Sequence, residues 1–474
     1  MAKIKFGTSG WRAIISDEFT FDNLKLVVQA IADYLISEGY KGKEVIVGYD
    51  TRFLSEKFAE ETCCVLAANG FHAILSMRDV PSPVISFSIL KRKAAGGINI
   101  TASHNPPDYS GIKFSPSWAG PALPEETDDI EKRINGLKGS YKEINPLEAF
   151  ERGMIEKVDL STTYIEDLLR KVNLSAIGKA GLKIVIDPLY GTVRDYLDKI
   201  LRDAGCDISV LHSYRDPYFG GLTPEPSEKN LEELIRYIRK GEYDIGLATD
   251  GDADRFGIVD SDGSFIEPNY ILALLFDYLV ENRNWKGGVA RSVATTHLID
   301  AIAKTHGIEV YETPVGFKYI GELIAKDKII IGGEESAGLS IKGHIPDKDG
   351  ILACLLVTEM VAVKGRTIKE LLGDLYERVG RFYSKRVDLR VSEDFIDKLK
   401  TQNSIQKIEK ISGLMVKDTI TKDGTKYIFE NGSWLLMRPS GTEPLLRLYV
   451  EAGSKADIEK LIGAGKEFVR AGER

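Results

Sequence analysis

The chain has 474 residues, of which 43% are hydrophobic and 28% are charged, and its formal net charge is −8. A chain of this length is too long for one hydrophobic core, which predicts three or four domains. The acidic balance argues against nucleic acid or an anionic membrane surface as the main partner.

Cysteine usage and the N-terminus are typical of a cytoplasmic protein. No pair among the four cysteines has the spacing of a metal or redox site, which fits a reducing compartment. Residues 1–7 contain no apolar signal core. The longest apolar runs, 271–280 and 351–363, are short and interrupted by an acidic residue, so we expect neither to span a membrane.

Three segments of the chain share one order of predicted elements: a strand, a helix that ends at a glycine, and a second strand. The opening strands are predicted at 44–49, 182–187 and 288–295. The helices are predicted to end at Gly70, Gly205 and Gly307. Glycine commonly follows a helix C-terminus, and units of this kind build parallel sheets with right-handed crossovers.

In each segment a further apolar strand leads into an unusual polar loop. The first strand, 94–100, enters a turn that contains Ser103 and closes at Pro106. The second strand leads to Asp250 and the third to Glu334. Ligand groups lie beyond the carboxyl ends of strands in open α/β sheets. We therefore expect three similar α/β domains to direct these loops at one cleft.

The last part of the chain is predicted to form a smaller α+β domain, in which two helical stretches alternate with strands. Those strands are predicted at 384–391, 426–429, 434–437 and 445–451. The loop 438–444 lies between two of them and offers a guanidinium, two hydroxyls and glycine-exposed N–H groups. Its contributors are Arg438, Ser440, Thr442 and Gly441. Such a set suits a phosphate dianion, and an ordinary hairpin turn is the alternative.

The predicted fold class is therefore α/β. We expect three similar α/β/α domains with mixed, mostly parallel sheets, and a C-terminal α+β domain, around a central cleft. The predicted domain boundaries are 1–140, 158–262, 265–373 and 380–474.

Ser103 and a distant acidic cluster together indicate phosphoryl chemistry. A hydroxyl at a strand-end turn has the placement of a nucleophile, although a serine in a plain strand-to-loop turn is the simpler interpretation when the motif is considered alone. Asp250, Asp252 and Asp254 lie at i, i+2 and i+4, and three carboxylates at this spacing favour a cation. A hydroxyl, a cation site and a phosphate-type loop are the groups that phosphoryl transfer requires.

The acidic cluster does not fit a calcium-binding EF-hand loop. The position that should be glycine is Arg255, and the position that should be a bidentate glutamate is Ser261. Oxygen ligands rich in carboxylate suit Mg²⁺, so we expect one Mg²⁺ per chain.

Five separated motifs, in order along the chain, carry a resemblance to a known family. They occupy residues 6–12, 101–106, 250–255, 333–336 and 438–444. Together they resemble the α-D-phosphohexomutase superfamily, whose enzymes move a phosphoryl group between O1 and O6 of a hexose. The resemblance spans nearly the whole chain and implies four domains around a deep central cleft.

The resemblance implies a role for each catalytic residue. Ser103 would be carried as a phosphoserine, donate its phosphoryl group to a free sugar hydroxyl, and form glucose 1,6-bisphosphate as intermediate and activator. Mg²⁺ would be held by a phosphoserine oxygen of Ser103 and by the three aspartates. Lys113 and Arg12 would lie near the reacting group, with Lys113 as the acid–base candidate, and a solvated strand lysine is the alternative. His104 follows Ser103 directly and is expected to support the loop.

The resemblance, together with the charge, hydroxyls and exposed backbone of several loops, implies a set of substrate contacts. The expected contacts are Arg255, Thr313, Gly316, Lys318, Glu334, Ser336, His344, Arg438, Ser440, Gly441 and Thr442. The Glu334-Glu335-Ser336 form, followed by Ala337 and Gly338, resembles the glucose-directed branch.

Other functions fit parts of the sequence. A phosphomannomutase or a dual-specificity mutase would use the same mechanism. A glycosidase is disfavoured because adjacent glutamates point apart and a glycosidase has no use for a phosphate loop. A metal-dependent sugar phosphatase and a non-catalytic sugar-phosphate binding protein are further alternatives. The expected partners are hexose phosphates, and the expected assembly is a monomer or homodimer.

Overall fold

The structure is a computed structural model that describes residues 4–7, 10–401, 408–440 and 445–472. The chain divides into two compact units. The first comprises Met1–Lys286 with Gly316–Lys369, and the second comprises Gly287–Val315 with Glu370–Arg474. No helix within the described residues combines the length and apolar character that a membrane span needs.

The N-terminal part of the first unit is a mixed sheet with helices. Its strands are β1 (Trp11–Ile14), β2 (Glu44–Tyr49), β3 (His72–Ser76), β4 (Gly96–Ile100), β5 (Tyr109–Pro116) and β6 (Ile155–Val158). Its helices are α1 (Phe21–Ser37), α2 (Ser55–Ala68), α3 (Ser82–Arg92), α4 (Pro124–Gly136) and α5 (Pro146–Glu151). The strand order is β1-β5-β4-β2-β3-β6. Strands β4, β2, β3 and β6 run parallel, and β5 runs antiparallel to both of its neighbours.

Helix α1 shows why these segments fold as they do. The Thr20 hydroxyl accepts a hydrogen bond from the Asn23 N–H at 3.3 Å and caps the first turn. Leu24, Val28 and Ile31, spaced by about one turn, are all fully buried. Burying one such side chain contributes about 1.5–3 kcal/mol, so this stripe anchors the helix in the hydrophobic core of this part of the chain.

A second mixed sheet follows in the first unit. Its strands are β7 (Lys183–Asp187), β8 (Asp207–Val210), β9 (Ile245–Thr249), β10 (Phe256–Asp260) and β11 (Phe265–Ile266). The accompanying helices are α6 (Ser161–Lys171), α7 (Leu174–Ala180), α8 (Leu197–Asp203) and α9 (Glu232–Lys240), with a 3₁₀ turn at Phe219–Gly221. The strand order is β11-β10-β9-β7-β8. Strand β7 is parallel to β8 and β9, whereas β10 is antiparallel to β9.

The next part of the chain contributes to both units. In the second unit, β12 (Gly288–Ser292) and β13 (Val310–Thr313) pair in parallel beside α11 (Leu298–His306). In the first unit, β14 (Ile329–Glu334) and β15 (Gly338–Ile341) pair antiparallel. The helices of the first unit here are α10 (Pro268–Arg283), α12 (Phe317–Ala325) and α13 (Gly350–Lys364).

An antiparallel sheet dominates the C-terminal part. Its strands are β16 (Tyr383–Arg390), β17 (Lys410–Ile411), β18 (Leu414–Ile420), β19 (Thr425–Phe429), β20 (Trp434–Pro439) and β21 (Leu445–Ala452), in the order β16-β21-β20-β19-β18-β17. The helices are α14 (Ile368–Val379), α15 (Glu393–Thr401) and α16 (Lys455–Gly472). The α+β prediction for this region is confirmed, although the sequence did not predict β17 and β18.

The predicted repeat is present. The three opening strands appear as β2, β7 and β12, and the glycines predicted at the helix ends all have positive φ: +87° at Gly70, +104° at Gly205 and +65° at Gly307. One feature differs from expectation. Each polar loop joins two antiparallel strands, so the three loops lie in the hairpins β4–β5, β9–β10 and β14–β15.

Candidate active site

Ser103 is held in a strained conformation at the end of β4. Its φ is +52°, in the left-handed region that residues other than glycine rarely adopt. Its N–H donates to the Thr101 hydroxyl at 2.8 Å. Its own hydroxyl donates to Asp250 Oδ2 at 2.7 Å, and the side chain is almost completely buried. The local backbone therefore directs Ser103 at the acidic loop.

The acidic loop lies in the β9–β10 hairpin. Asp250, Asp252 and Asp254 are buried, and each offers one oxygen within 4.8 Å of the others. Gly251 makes this approach possible, because a Cβ there would lie 2.8 Å from the Ser103 carbonyl oxygen. The Arg255 N–H donates to Asp250 Oδ1 at 3.0 Å, which turns the other oxygen toward Ser103.

The residues of this loop fit a metal ion. The second oxygens of Asp252 and Asp254 are buried and have no hydrogen-bond partner among the described residues, a costly arrangement for carboxylates unless a cation joins them. The available ligand atoms are all oxygen, which is the set that hard divalent cations prefer. The buried aspartate triad therefore fits a site for a divalent cation.

Two lysines approach the same carboxylates. Lys113 Nζ lies 2.5 Å from Asp252 and 2.8 Å from Asp254, and Lys348 Nζ lies 2.9 Å from Asp254. Lys113 lies on β5 opposite Asn99 of β4, so the hairpin that presents Ser103 also presents this lysine. Burial lowers the pKa of Lys113, but the two carboxylates outweigh burial and hold that pKa above its usual range. Lys113 is thus a largely buried, charged group and not a solvated strand lysine.

The three aspartates differ in their pKa values. Burial, together with repulsion from Asp252 and Asp254, holds the pKa of Asp250 well above its usual range. Burial also opposes ionisation of Asp252 and Asp254, but Lys113 overcomes it and lowers the pKa of both, with Lys348 adding to the effect at Asp254. Like charges this close titrate together, and the nearby lysines favour the ionised forms of Asp252 and Asp254.

Arg12 and His104 lie beside the serine loop. Arg12 pairs with Gly111 across β1 and β5 and donates to the Asn105 side-chain oxygen at 2.7 Å. The His104 Nδ1 lies 3.3 Å from Ser103 Oγ. Burial, followed by the nearby Arg255 and Arg12 charges, holds the pKa of His104 well below its usual range, so the imidazole is neutral.

The third hairpin carries a buried glutamate. Glu334, at the end of β14, is only 6% exposed and accepts a hydrogen bond from the Gly316 N–H at 2.8 Å. Gly316 has a φ of +130°, a conformation that glycine tolerates best. Burial and the adjacent Glu335 raise the pKa of Glu334 to about 7. Ser336 is partly exposed in the turn of the same hairpin.

Lys318 and Arg255 remain partly accessible. Lys318 is the second residue of α12, and burial lowers its pKa. The Arg255 guanidinium lies 3.9 Å from Asp254 and 3.7 Å from Glu225. Both can offer positive charge to an anionic ligand.

His344 lies in a buried hydrogen-bonded group. Its side chain is 0% exposed, and its Nε2 lies 2.7 Å from Asp349 Oδ2, which also accepts from the Tyr164 hydroxyl at 2.7 Å. In this arrangement His344 orients Asp349, the N-cap of α13, and has no open face for a sugar.

Three expected contacts lie in the second unit. Thr313 is buried at the end of β13. Arg438, on β20, pairs with Asp423 at 2.9 Å, and the Ser440 N–H donates to the Leu445 carbonyl at 2.8 Å. Gly441 and Thr442 lie outside the described residues.

Sequence reasoning missed two charged residues of the site. Lys348 contacts Asp254, and Arg52 donates to the Ser103 carbonyl at 2.7 Å. A signal for Arg52 was present, because it follows β2, which pairs in parallel with β4, so both strands end at the same sheet edge. Lys348 precedes α13 and carried no comparable signal.

Comparison with known proteins places this site in a family. The sequence profiles of the phosphoglucomutase/phosphomannomutase family match the chain in four consecutive parts. These are α/β/α domain I at residues 3–139, α/β/α domain II at 162–263, α/β/α domain III at 267–379 and the C-terminal domain at 389–464. The matches confirm the predicted fold class of three α/β/α domains and a C-terminal domain.

Individual relatives match over nearly the full length. A phosphoglucomutase from Komagataeibacter xylinus is 32% identical, over 97% of this chain and 89% of its own. A protein from Methanosphaera stadtmanae, provisionally named a phosphoglucosamine mutase, is 32% identical over 98% of both chains. The crystal structure of a Thermus thermophilus protein, provisionally named a phosphomannomutase, has a TM-score of 0.86 with 33% identity and covers 99% of each chain. The chain therefore belongs to the phosphoglucomutase/phosphomannomutase family of the α-D-phosphohexomutase superfamily and is a phosphohexomutase, an intramolecular phosphotransferase.

Proposed function

We propose that the chain interconverts glucose 1-phosphate and glucose 6-phosphate through a phosphoserine at Ser103 and a bound glucose 1,6-bisphosphate. The observation that carries the proposal is the buried contact between the Ser103 hydroxyl and Asp250 at 2.7 Å. It joins a strained, oriented hydroxyl to a buried site for a cation, the combination that phosphoryl transfer needs.

The proposed metal is one Mg²⁺, held by Asp250, Asp252 and Asp254 and by an oxygen of phosphorylated Ser103. When bound, it supplies positive charge that offsets the charge of the phosphoryl group during transfer. A chelator should abolish activity, and added Mg²⁺ should restore it. Full activity in excess chelator would contradict this part of the proposal.

The chain's own residues handle the proton. Lys113 carries its proton beside the acidic loop, so it can donate that proton to the sugar oxygen that leaves when a phosphoryl group returns to Ser103. It can take a proton back from the sugar hydroxyl when that hydroxyl attacks the phosphoserine. His104 is neutral and lies next to Ser103, where it can orient the hydroxyl. Arg12, held by Asn105, adds positive charge near the transferring group.

Sugar recognition is assigned to the β14–β15 hairpin. The Glu334 carboxylate can accept hydrogen bonds from sugar hydroxyls, and the Ser336 hydroxyl can both donate to them and accept from them. Thr313, Gly316 and Lys318 lie near this hairpin in the sequence and are proposed to contact the sugar or its phosphate. The loop from Arg438 is proposed to hold the phosphate that is not being transferred.

The preferred hexose varies within the family, because related proteins are named for glucose, mannose and glucosamine phosphates. Glucose is proposed from the Glu-Glu-Ser sequence of the hairpin. Conversion of glucose 1-phosphate, mannose 1-phosphate and glucosamine 1-phosphate should be measured side by side, together with free phosphate. The proposal predicts the highest kcat/KM for glucose 1-phosphate and little free phosphate. An equal or higher value for mannose 1-phosphate would reassign the enzyme, and free phosphate as the main product would make it a phosphatase.

A cytoplasmic location is also proposed. All four cysteines are free and buried, as expected of a protein that folds in a reducing compartment.

A further inference from the structure

Arg52 is a fully buried charged residue that the reaction described so far does not use. It lies in the turn after β2, and its exposed fraction is 0%. Removing a guanidinium from water is costly unless each of its donors finds a partner. The partners of Arg52 therefore indicate what the charge is for.

All five N–H donors of this guanidinium are engaged. Nε donates to Asp50 Oδ2 at 3.0 Å. The two terminal nitrogens donate to four backbone carbonyls of the serine loop. Those carbonyls belong to Ser103 at 2.7 Å, Asn105 at 2.7 Å, Pro106 at 2.6 Å and Tyr109 at 3.0 Å. Four carbonyls that converge on one point would repel each other without a cation between them.

We propose that Arg52 is a positioning residue for phosphoryl transfer, which holds the serine loop in the one conformation that directs the Ser103 hydroxyl into the metal site. Ser103 itself has unfavourable backbone dihedrals. The left-handed turn therefore needs outside support. The Arg52 guanidinium supplies it by donating to the carbonyls of Ser103, Asn105, Pro106 and Tyr109.

Arg52 is itself held from two sides. The Asp50 carboxylate also accepts from the Arg52 N–H at 3.0 Å and from Ser55 Oγ at 2.8 Å, which fixes its orientation. The Phe219 ring, in the segment between β8 and β9, lies 4.9 Å from the guanidinium carbon, a cation–π contact. The segment that contains Phe219 therefore supports Arg52, and it leads along the chain to β9 and the acidic loop.

The test uses Arg52→Lys in the full chain. A lysine keeps the charge but has three donors in place of five and no planar fork, so it cannot hold all four carbonyls. The matched control is Arg283→Lys, because Arg283 is a partly buried arginine of the same unit that binds Glu359 at 2.9 Å and the Lys171 carbonyl at 2.6 Å. The readouts are the single-turnover rate of phosphoryl transfer from glucose 1,6-bisphosphate to Ser103, the KM for glucose 1-phosphate, and the thermal midpoint.

Arg52→Lys should slow transfer to Ser103 by about 100-fold per folded molecule, the scale of a small misplacement of a reacting group, with KM within about threefold of wild type. Arg283→Lys should lower the thermal midpoint and leave the transfer rate unchanged. If Arg52 has a purely structural role, Arg52→Lys should behave as the control does, with a lower thermal midpoint and an unchanged transfer rate. That result would overturn the proposal.

If Arg52→Lys does not fold, Phe219→Leu decides the question. It removes the ring beneath the guanidinium while leaving Arg52 in place, and should slow transfer several-fold at unchanged KM. A wild-type transfer rate in that variant would then overturn the proposal. The inference rests on the proposed phosphoserine mechanism, and the wild-type measurement separates a failure of that mechanism from a failure of the positioning role. If wild-type Ser103 accepts no phosphoryl group, the proposed function fails, whereas normal wild-type transfer with an unaffected Arg52→Lys refutes the positioning role alone.

Discussion

At the scale of single residues, the surroundings of Lys113 decide what it can do. The sequence placed it on a strand after the serine loop, where a solvated lysine was an equally reasonable interpretation. The structure buries it between Asp252 and Asp254, two residues that lie about 140 positions away in the chain. No local pattern encodes such a contact, since it depends on how two hairpins meet.

The first prediction concerns the carboxylate that Lys113 contacts. Asp252→Asn should lower kcat by roughly two to four orders of magnitude, because it removes one negative charge from the proposed metal site and so weakens the stabilisation of charge during transfer. The measurement is kcat for glucose 1-phosphate at saturating Mg²⁺. Asp262→Asn is the control, since Asp262 forms an exposed pair with Lys369, and it should stay within about twofold of wild type. Similar kcat values for the two variants would contradict a metal role for Asp252.

The second prediction concerns pH. The raised pKa of Glu334, about 7, means that its carboxyl is protonated below pH 7 and ionised above it. If the carboxylate accepts hydrogen bonds from the sugar, KM should rise as the pH falls through about 7. Glu334→Gln should have a higher KM that no longer changes over this range. An equally steep KM profile in Glu334→Gln would assign the titration to another group.

At the scale of elements, the sequence predicted the positions of the three polar loops but not how the strands on either side of them pair. Glycine-ended helices and apolar strands were enough to predict the repeat and the position of Ser103, Asp250 and Glu334 at strand ends. The antiparallel pairing of β5, β10 and β15 with the strands before them was not predicted, because none of the three loops is one of the two-residue turns that mark a hairpin in a sequence.

Other parts of the fold and site were beyond sequence patterns for identifiable reasons. Strand β18 has mostly partly exposed or exposed side chains, with Lys417 and Asp418 interrupting the apolar alternation. His344 was expected to contact substrate, but its side chain is buried against Asp349, which also accepts a hydrogen bond from Tyr164. Tyr164 lies far from His344 in the chain, so no local pattern predicts this burial. Arg52 resembled any charged residue in a turn until its four carbonyl partners were known.

The third prediction concerns the start of α13. Gly350 donates its N–H to the Ala253 carbonyl at 3.1 Å, and a Cβ there would lie 2.4 Å from the Arg255 carbonyl oxygen. Gly350→Ala should therefore push the helix away from the acidic loop. We expect it to lower kcat at least tenfold and to destabilise the protein by about 1–3 kcal/mol.

Gly373→Ala is the matched control for this variant. It makes the same substitution in helix α14, where an added Cβ meets no atom of the described residues within 4 Å. Replacing an open helical glycine by alanine should be neutral or slightly stabilising, by about 0.5–1 kcal/mol. Equal thermal midpoints and equal kcat values in both variants would show that the contact between α13 and the acidic loop matters neither for stability nor for activity.

At the scale of the whole molecule, a mutase must hold either end of its intermediate while the other end reacts. The groups that act on the phosphoryl group, Ser103 and the three aspartates, belong to the first compact unit, and Arg438 belongs to the second. We therefore propose that residues of the first unit transfer the phosphoryl group, and that Arg438 of the second unit binds the phosphate that is not being transferred.

The fourth prediction tests this division. Arg438→Ala should weaken kcat/KM for all hexose phosphates similarly, by on the order of 2 to 4 kcal/mol for a lost charge-assisted contact. Phosphorylation of Ser103 by glucose 1,6-bisphosphate should survive at least in part. Arg390→Ala, at an exposed position on β16, serves as the control. Wild-type KM and kcat in Arg438→Ala would leave the 438–444 loop as a plain hairpin turn.

The central claim is that Ser103 carries the phosphoryl group. The most direct measurement is peptide mass spectrometry of wild-type protein and of Ser103→Ala after incubation with glucose 1,6-bisphosphate and Mg²⁺. We predict a phosphoryl group on Ser103 in the wild type, none in that peptide of the variant, and loss of mutase activity in the variant. Mutase turnover without phosphorylation of Ser103, or full activity in Ser103→Ala, would contradict the account.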